Sequence, residues 1–191
     1  MDGVRLNACG NLAALYPAAY VTAAAPLRVS STTVNGGGFP LAGSFFILDA
    51  EQVSVNKLSA SGSAADGLDL AGVTGATVAN STFSKNAADG VALQNADTGA
   101  HLAMNGVALQ NVRAAGNGVL GFGFGAPGDP ATVGNLSCTA CTALDNGALA
   151  TSPAFAAGFL VANGSTTISA SFANDSRSGA ARTQTYGLSQ L

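Results

Sequence analysis

The sequence predicts an all-β solenoid: short parallel strands wound into about six coils along one axis. Three observations carry this. Residues 76–124 hold the same phrase twice, a short alternating strand ending in Asn, a polar turn, a Gly and a short apolar strand. Such a repeat, at a period of roughly 20–50 residues, points to a solenoid or a propeller. No unit carries a helical 3.6-residue apolar face over the ~10 residues a helix needs, so the units are strands and turns. Finally, Gly is 25 of 191 residues, Ala is abundant and Trp is absent, which suits a narrow interior where backbones stack closely.

Taken in order, residues 1–26 are the least repetitive and read as an irregular first coil or cap, with Tyr16-Pro17 and Pro26 breaking short strands. Residues 27–48 run from a strand ending at Val34-Asn35, through Gly36-Gly37-Gly38, to the apolar Phe45-Phe46-Ile47-Leu48. The next unit alternates at Val53 and Val55 before Asn56 and ends on Gly67-Leu68-Asp69-Leu70. Two central units follow. A fifth runs from Val133 to Val161, with an insertion near Thr151-Ser152-Pro153, and the last from Thr166 to Leu188. Propeller repeats of ~40 residues and the leucine-rich pattern are both missing.

Two columns emerge. Asn56, Asn80, Asn105 and Asn135, with Ser171 last, read as a stack of inward-turned amides bonded from coil to coil. For that reason the sequons at Asn80 and Asn135 are discounted. Gly67, Gly90, Gly118, Gly158 and Gly187 read as the positive-φ residue before each new strand.

Composition removes several classes of function. A net charge of −3 lacks the basic footprint of nucleic-acid binding. No apolar run reaches the ~18 residues of a membrane span. The start, Met1-Asp2-Gly3, shows no signal-peptide pattern. Cys138-Thr-Ala-Cys141 is a CxxC, but neither His101 nor Cys9 stands at zinc-ligand spacing, so two small apolar residues are expected there. Gly123-Phe-Gly125-Ala-Pro-Gly128 matches a dinucleotide loop only formally, because Pro127 and Pro130 forbid the following helix. The Ser/Thr clusters at 30–33 and 165–167 do not recur at one register in every coil, which argues against an ice-binding face.

The pattern Asn…(Asp)Gly-φ-x-φ over residues 27–191 resembles the right-handed parallel β-helix, or pectate-lyase-like, superfamily. The resemblance implies one right-handed parallel β-helix domain over 1–191, on a scaffold that hosts lyases, hydrolases, esterases, tailspikes and adhesins. Locally, Ala64-Ala65-Asp66-Gly67 and Ala87-Ala88-Asp89-Gly90 are similar to adjacent coils of the polygalacturonase glycoside hydrolases. That similarity implies acid/base carboxylates at Asp66 and Asp89. The first Asp of the family's pair falls on Ala88, its Gly-His-Gly falls near Gly116-Asn117-Gly118 with Asn117 in the place of the His, and its Arg-x-Lys is absent, so the catalytic set is incomplete.

Asp66 and Asp89 share one repeat position, and stacked coils bring them within about 5–10 Å. Two such carboxylates suit glycoside hydrolysis, or Ca²⁺ binding through oxygen ligands, or simple support of the turn. Asn117 is expected to continue the row. Asp69 is expected on the outer strand face beside it, as a sugar contact or a solvated residue. Arg113 is expected in the turn after Asn111, where it could meet a uronate carboxylate. His101 has no partner at motif spacing.

The functional expectation is a β-helix module that binds or processes polysaccharide, a lyase or glycoside hydrolase if an enzyme, located outside the cell or on a cell or virion surface. The alternative is a non-catalytic structural, adhesin or tailspike-like segment. It would assemble with copies or a partner through its surface or its open ends, since the chain stops in mid-coil at Leu191.

Overall fold

The computed structural model describes residues 5–7, 19–22, 26–36, 43–95, 103–125, 133–179 and 182–191. Twenty short strands form three parallel sheets, with the chain visiting the sheets in rotation. Sheet I has six strands, from Leu27–Ser30 to Thr166–Ser169; sheets II and III have seven each, ending at Phe172–Asn174 and Tyr186–Gln190. This is a parallel β-helix of about six coils. Two strands from the irregular N-terminal stretch, Arg5–Asn7 and Ala19–Thr22, start sheets II and III. Among the described residues no helix is long and apolar enough to cross a membrane.

Alternation in each strand sets the core. From sheet I, Val29, Val55, Val78, Leu109, Cys138 and Ile168 stand in one inward register. Sheet II contributes Val34, Ala60, Phe83, Ala114, Ala143 and Ala173. Sheet III contributes Phe45, Leu68, Val91, Phe122, Phe159 and Leu188. Bulk on sheet III thus faces mostly Ala on sheet II, so a narrow cross-section fills without voids. The rings of Phe122 and Phe159 stack with centroids 5.0 Å apart. The column weakens at the last coil, where Leu188 is 58% exposed because nothing described lies above it.

The turns correct both predicted columns. The Asn residues form two ladders. Asn80 donates to Asn56 Oδ1 (2.9 Å) and accepts from Asn111 (2.9 Å) at the exit of sheet I. Asn135 donates to Asn105 Oδ1 (3.0 Å) at the entry of that sheet. Asn80 and Asn135 are exposed, not turned inward. A strand of sheet I with Asn at both ends lets either one be read as the repeat marker, and the sequence reading switched between them. Asn80 and Asn111 do take the left-handed conformation (φ 51° and 52°), which Asn tolerates better than most residues.

The glycine column is Gly67, Gly90, Gly121 and Gly158, continued by Gly187 at the last coil; Gly118 lies one turn too early. The column follows from the hydrogen bonds Gly67 N–H to Asp89 O, Leu68 N–H to Gly90 O and Val91 N–H to Gly121 O. None of the first four has a positive φ. Their reason is space: a Cβ on Gly90 would stand 2.6 Å from Ala114 Cβ and 2.7 Å from Gly121 O, and one on Gly121 2.5 Å from Gly158 O.

Cys138 and Cys141 are buried and joined as a disulfide across the corner between sheets I and II, rather than standing as two free thiols. Other coils brace that corner with hydroxyls: Ser81 Oγ donates to Ala79 O and accepts from Leu58 N–H, and Ser171 Oγ donates to Ser169 O and accepts from Cys141 N–H. On the outside of sheet I, Ser54, Thr77, Ala108, Ser137 and Thr167 share one register. Small polar side chains recur there in several coils, but Ala108 interrupts the row and Arg28 begins it, so no Ser/Thr register runs through every coil. His101, Cys9, Pro127 and Gly128 lie outside the described residues.

Candidate functional site

The turn from sheet II to sheet III carries three of the predicted residues, Asp66, Asp89 and Asn117, and it is built in two layers. The inner layer is an amide ladder. Asn117 Oδ1 accepts from the backbone N–H (3.1 Å) and the side-chain amide (3.0 Å) of Asn86. Its own Nδ2 donates to Asn146 Oδ1 (3.0 Å) and Phe83 O (3.3 Å). Ser63 N–H below and Gln184 above extend the ladder over five coils. Asn117 is fully buried there, so it does not continue the Asp row and cannot touch a ligand from this position. Its equivalent one coil down is Asn86, three residues before Asp89. An amide at this position can accept and donate along the axis at once, which is why Asn recurs.

The outer layer is the Asp row. Asp66 Oδ1 accepts from Asp89 N–H at 2.7 Å, and Asp89 Oδ1 accepts from Leu120 N–H at 3.0 Å. Each carboxyl therefore pins the same turn one coil further on, and the third member of the row is Leu120. Burial pushes Asp66 up to about 6, against the pull of the Asp89 N–H. Burial, and then the charge of Asp66, push Asp89 well above the usual carboxylate range, with the Leu120 N–H opposing. Both residues keep a partly exposed edge, so water tempers the effect.

Asp69 does stand on the outer face of sheet III, but it is 1% exposed rather than solvated. It accepts from Gln94 Nε2 through both oxygens, at 3.1 and 3.3 Å. An acidic side chain at such a place must be hydrogen-bonded, and Gln94 supplies the donor. Arg113 is exposed and starts a strand of sheet II between Thr82 and Thr142, instead of lying in a turn. It therefore sits at the entry end of that strand, away from the exit turn that carries the Asp row.

Beside Asp89 a pocket of about 170 Å³ opens on the outside of sheet III. It exists because the outward register there runs Asp69, Ala92, Gly123, Leu160, with its two smallest members in the middle. Asp89 Oδ2 lies over Gly123, 3.1 Å from where a Cβ would be, and receives no hydrogen bond among the described residues. Leu120, Leu160 and Phe155 wall the pocket, and Gln94 stands at its edge. Phe155 comes from the insertion, whose 3-10 turn Pro153–Phe155 packs beside the satellite cluster of Leu120, Ala157 and Leu160.

A larger cavity, about 440 Å³, lies at the last coil beside Asp175, Arg182 and Gln184. Its carboxylate is already saturated. Asp175 accepts from Arg177 Nε (2.8 Å) and Nη2 (2.9 Å) and from the backbone N–H groups of Arg177, Thr183 and Gln184. Burial alone would raise this carboxyl, but the Arg177 guanidinium and the three N–H groups hold it well below the usual range. The network folds the final turn onto the coil and leaves no oxygen for a ligand. Sequence reasoning missed it, although the spacing Asp175-x-Arg177 was a local signal. It also missed the inner ladder, whose signal was Asn recurring at 86, 117 and 146, two residues after the end of each sheet II strand.

Ca²⁺ takes about six to eight oxygens. Among the described residues no group of three or more His, Cys, Asp or Glu side chains is placed to hold a metal, and the Asp pair has already committed one oxygen of each carboxyl. No family model, curated protein or solved structure matches the chain.

Proposed function

We propose that this chain is a member of the pectate-lyase-like β-helices that binds polysaccharide on the outside of sheet III without cleaving it. The observation that carries the reading is Asp89 Oδ2. It is a carboxyl oxygen without a hydrogen-bond partner among the described residues, at the mouth of a pocket that is also lined by Gln94 and Phe155. A few placed polar groups against an apolar wall are the ordinary makeup of a small-ligand site. The absence of cleavage follows from the Asp row. Glycoside hydrolysis needs one carboxyl on each side of the scissile bond, whereas Asp66 and Asp89 are stacked in series and tied to the turn backbone.

Affinity electrophoresis on a panel of acidic and neutral polysaccharides, with a reducing-end assay run in parallel, tests this. Retardation without release of reducing ends is expected. Cleavage abolished by an Asp66→Asn/Asp89→Asn double substitution would replace the reading with an enzymatic one. A second reading rests on a different surface. From Val53–Asn56 to Thr166–Ser169 the strands of sheet I contain no charged residue. A flat uncharged face suits lateral packing of a structural segment, and retardation by no polymer would leave that reading.

A further inference from the structure

We propose that the pocket beside Asp89 takes a single uncharged sugar ring, the terminal or branching residue of a neutral polysaccharide. The inference rests on the polysaccharide-binding reading and narrows it to a ligand class.

Size comes first. Pockets for drug-sized ligands run to about 300–1,000 Å³. One of about 170 Å³ holds one ring, not a length of chain. Leu120, Leu160 and Phe155 line it with apolar surface.

Charge selects next. Among the described residues the lining contains Asp89 and no Lys, Arg or His. Asp66 stands one coil below, and Asp69 is held by the same Gln94 that borders the pocket. Lys85, at the head of the Asp89 turn, is exposed and outside the lining. A uronate would bring its carboxylate toward Asp66 and Asp69 with no cation among the described lining residues to receive it. Arg113, the residue that the sequence offered for a uronate, starts a strand of sheet II instead.

The polar groups then fit a pair of hydroxyls. Asp89 Oδ1 is occupied by Leu120 N–H, which leaves Oδ2 facing the pocket, and burial favours the protonated form that would donate there. Gln94 Nε2 is occupied by Asp69, which leaves Oε1 as an acceptor. One donor beside one acceptor matches adjacent sugar hydroxyls, each of which can do both. The apolar walls cover the C–H face of the ring.

Isothermal titration of the full chain with malto-, cello-, manno- and galacto-oligosaccharides, set against oligogalacturonate, tests the proposal. At least one neutral series should bind at pH 6, and oligogalacturonate at least tenfold more weakly. Gly123→Val, which fills the pocket from an outward strand position, should weaken binding at least tenfold with unchanged circular dichroism. Asp89→Ala, which removes the Oδ2 group facing the pocket, should weaken neutral binding at least tenfold at pH 6 with unchanged circular dichroism. Tighter binding of oligogalacturonate would overturn this inference and leave the general reading standing. So would neutral binding indifferent to a folded Gly123→Val. Silence across the whole panel would overturn both.

Discussion

Asn117→Ala removes the middle rung of the buried ladder, and its cost can be worked from the contacts. The substitution strips the acceptor from Asn86 N–H and Asn86 Nδ2, and the donor from Phe83 O and Asn146 Oδ1. Asn146 Oδ1 still accepts from the backbone N–H of residue 117 (3.0 Å) and Phe83 O keeps its place in the sheet II ladder, so the real orphans are the two Asn86 donors. Each buried orphan costs about 1–3 kcal/mol, and a small cavity lets water relieve part of that. A net loss of about 3–5 kcal/mol is expected, a large share of the ~5–15 kcal/mol that holds a domain together. Equilibrium urea unfolding followed by circular dichroism reads it directly. The control is Asn111→Ala, which breaks one exposed bond to Asn80 and should cost only about 1 kcal/mol. A loss below about 1 kcal/mol at Asn117, or equal losses at the two sites, would refute the claim that the inner ladder holds the turn.

Three further outcomes follow from the same geometry. Gly90→Ala places a Cβ 2.6 Å from Ala114 Cβ and 2.8 Å from Asn117 Nδ2; a loss of roughly 3 kcal/mol, or failure to fold, is expected in thermal melts, and a variant as stable as wild type would contradict the close-approach account. Asp66 and Asp89 carry raised pKa values in the folded chain, so the unfolded chain loses their protons first as pH rises from about 4. Stability should therefore fall between pH 4 and about 6 from Asp66, by roughly 1–3 kcal/mol after allowing for its exposed edge, and further above that from Asp89. Urea midpoints that stay flat or rise over that range would sink this. Asp175 has the opposite sign: its lowered pKa gives stability that is present above about 4 and lost as pH falls below it. Asp175→Ala should cost about 3–5 kcal/mol at pH 7 and far less at pH 2, as judged by urea titrations at both.

The fold was legible because one physical need recurs in every coil. Alternating Val53-x-Val55 or Val107-x-Leu109 must face inward whatever the loop lengths, so sheet membership survives irregular spacing. Phase was harder to read. Asn105 and Asn111 end the same strand of sheet I, and Gly118 and Gly121 bracket the same turn, so choosing between them requires knowing which residues meet across coils. The motive for the glycines was also hidden, because a residue crowded by the next coil and one with a positive φ look alike in a sequence. The Asp row was found by its repeat, yet its hydrogen bonds run to backbone N–H groups that no side-chain pattern reports. The pocket depends on Phe155 from an insertion and on an absent side chain at Gly123, neither of which a repeat-based reading weighs. Cys138 and Cys141 show the reverse case, a visible CxxC whose disulfide lies buried in the core.

The most direct test of the central claim is an NMR titration of ¹⁵N-labelled protein with the neutral oligosaccharide that binds best. The account predicts that amide shifts concentrate at Asp89, Gln94, Leu120, Gly123 and Phe155, with the outer face of sheet I unmoved. Shifts centred on Ser54, Thr77, Ser137 and Thr167, or on the last coil around Asp175 and Arg182, would contradict it.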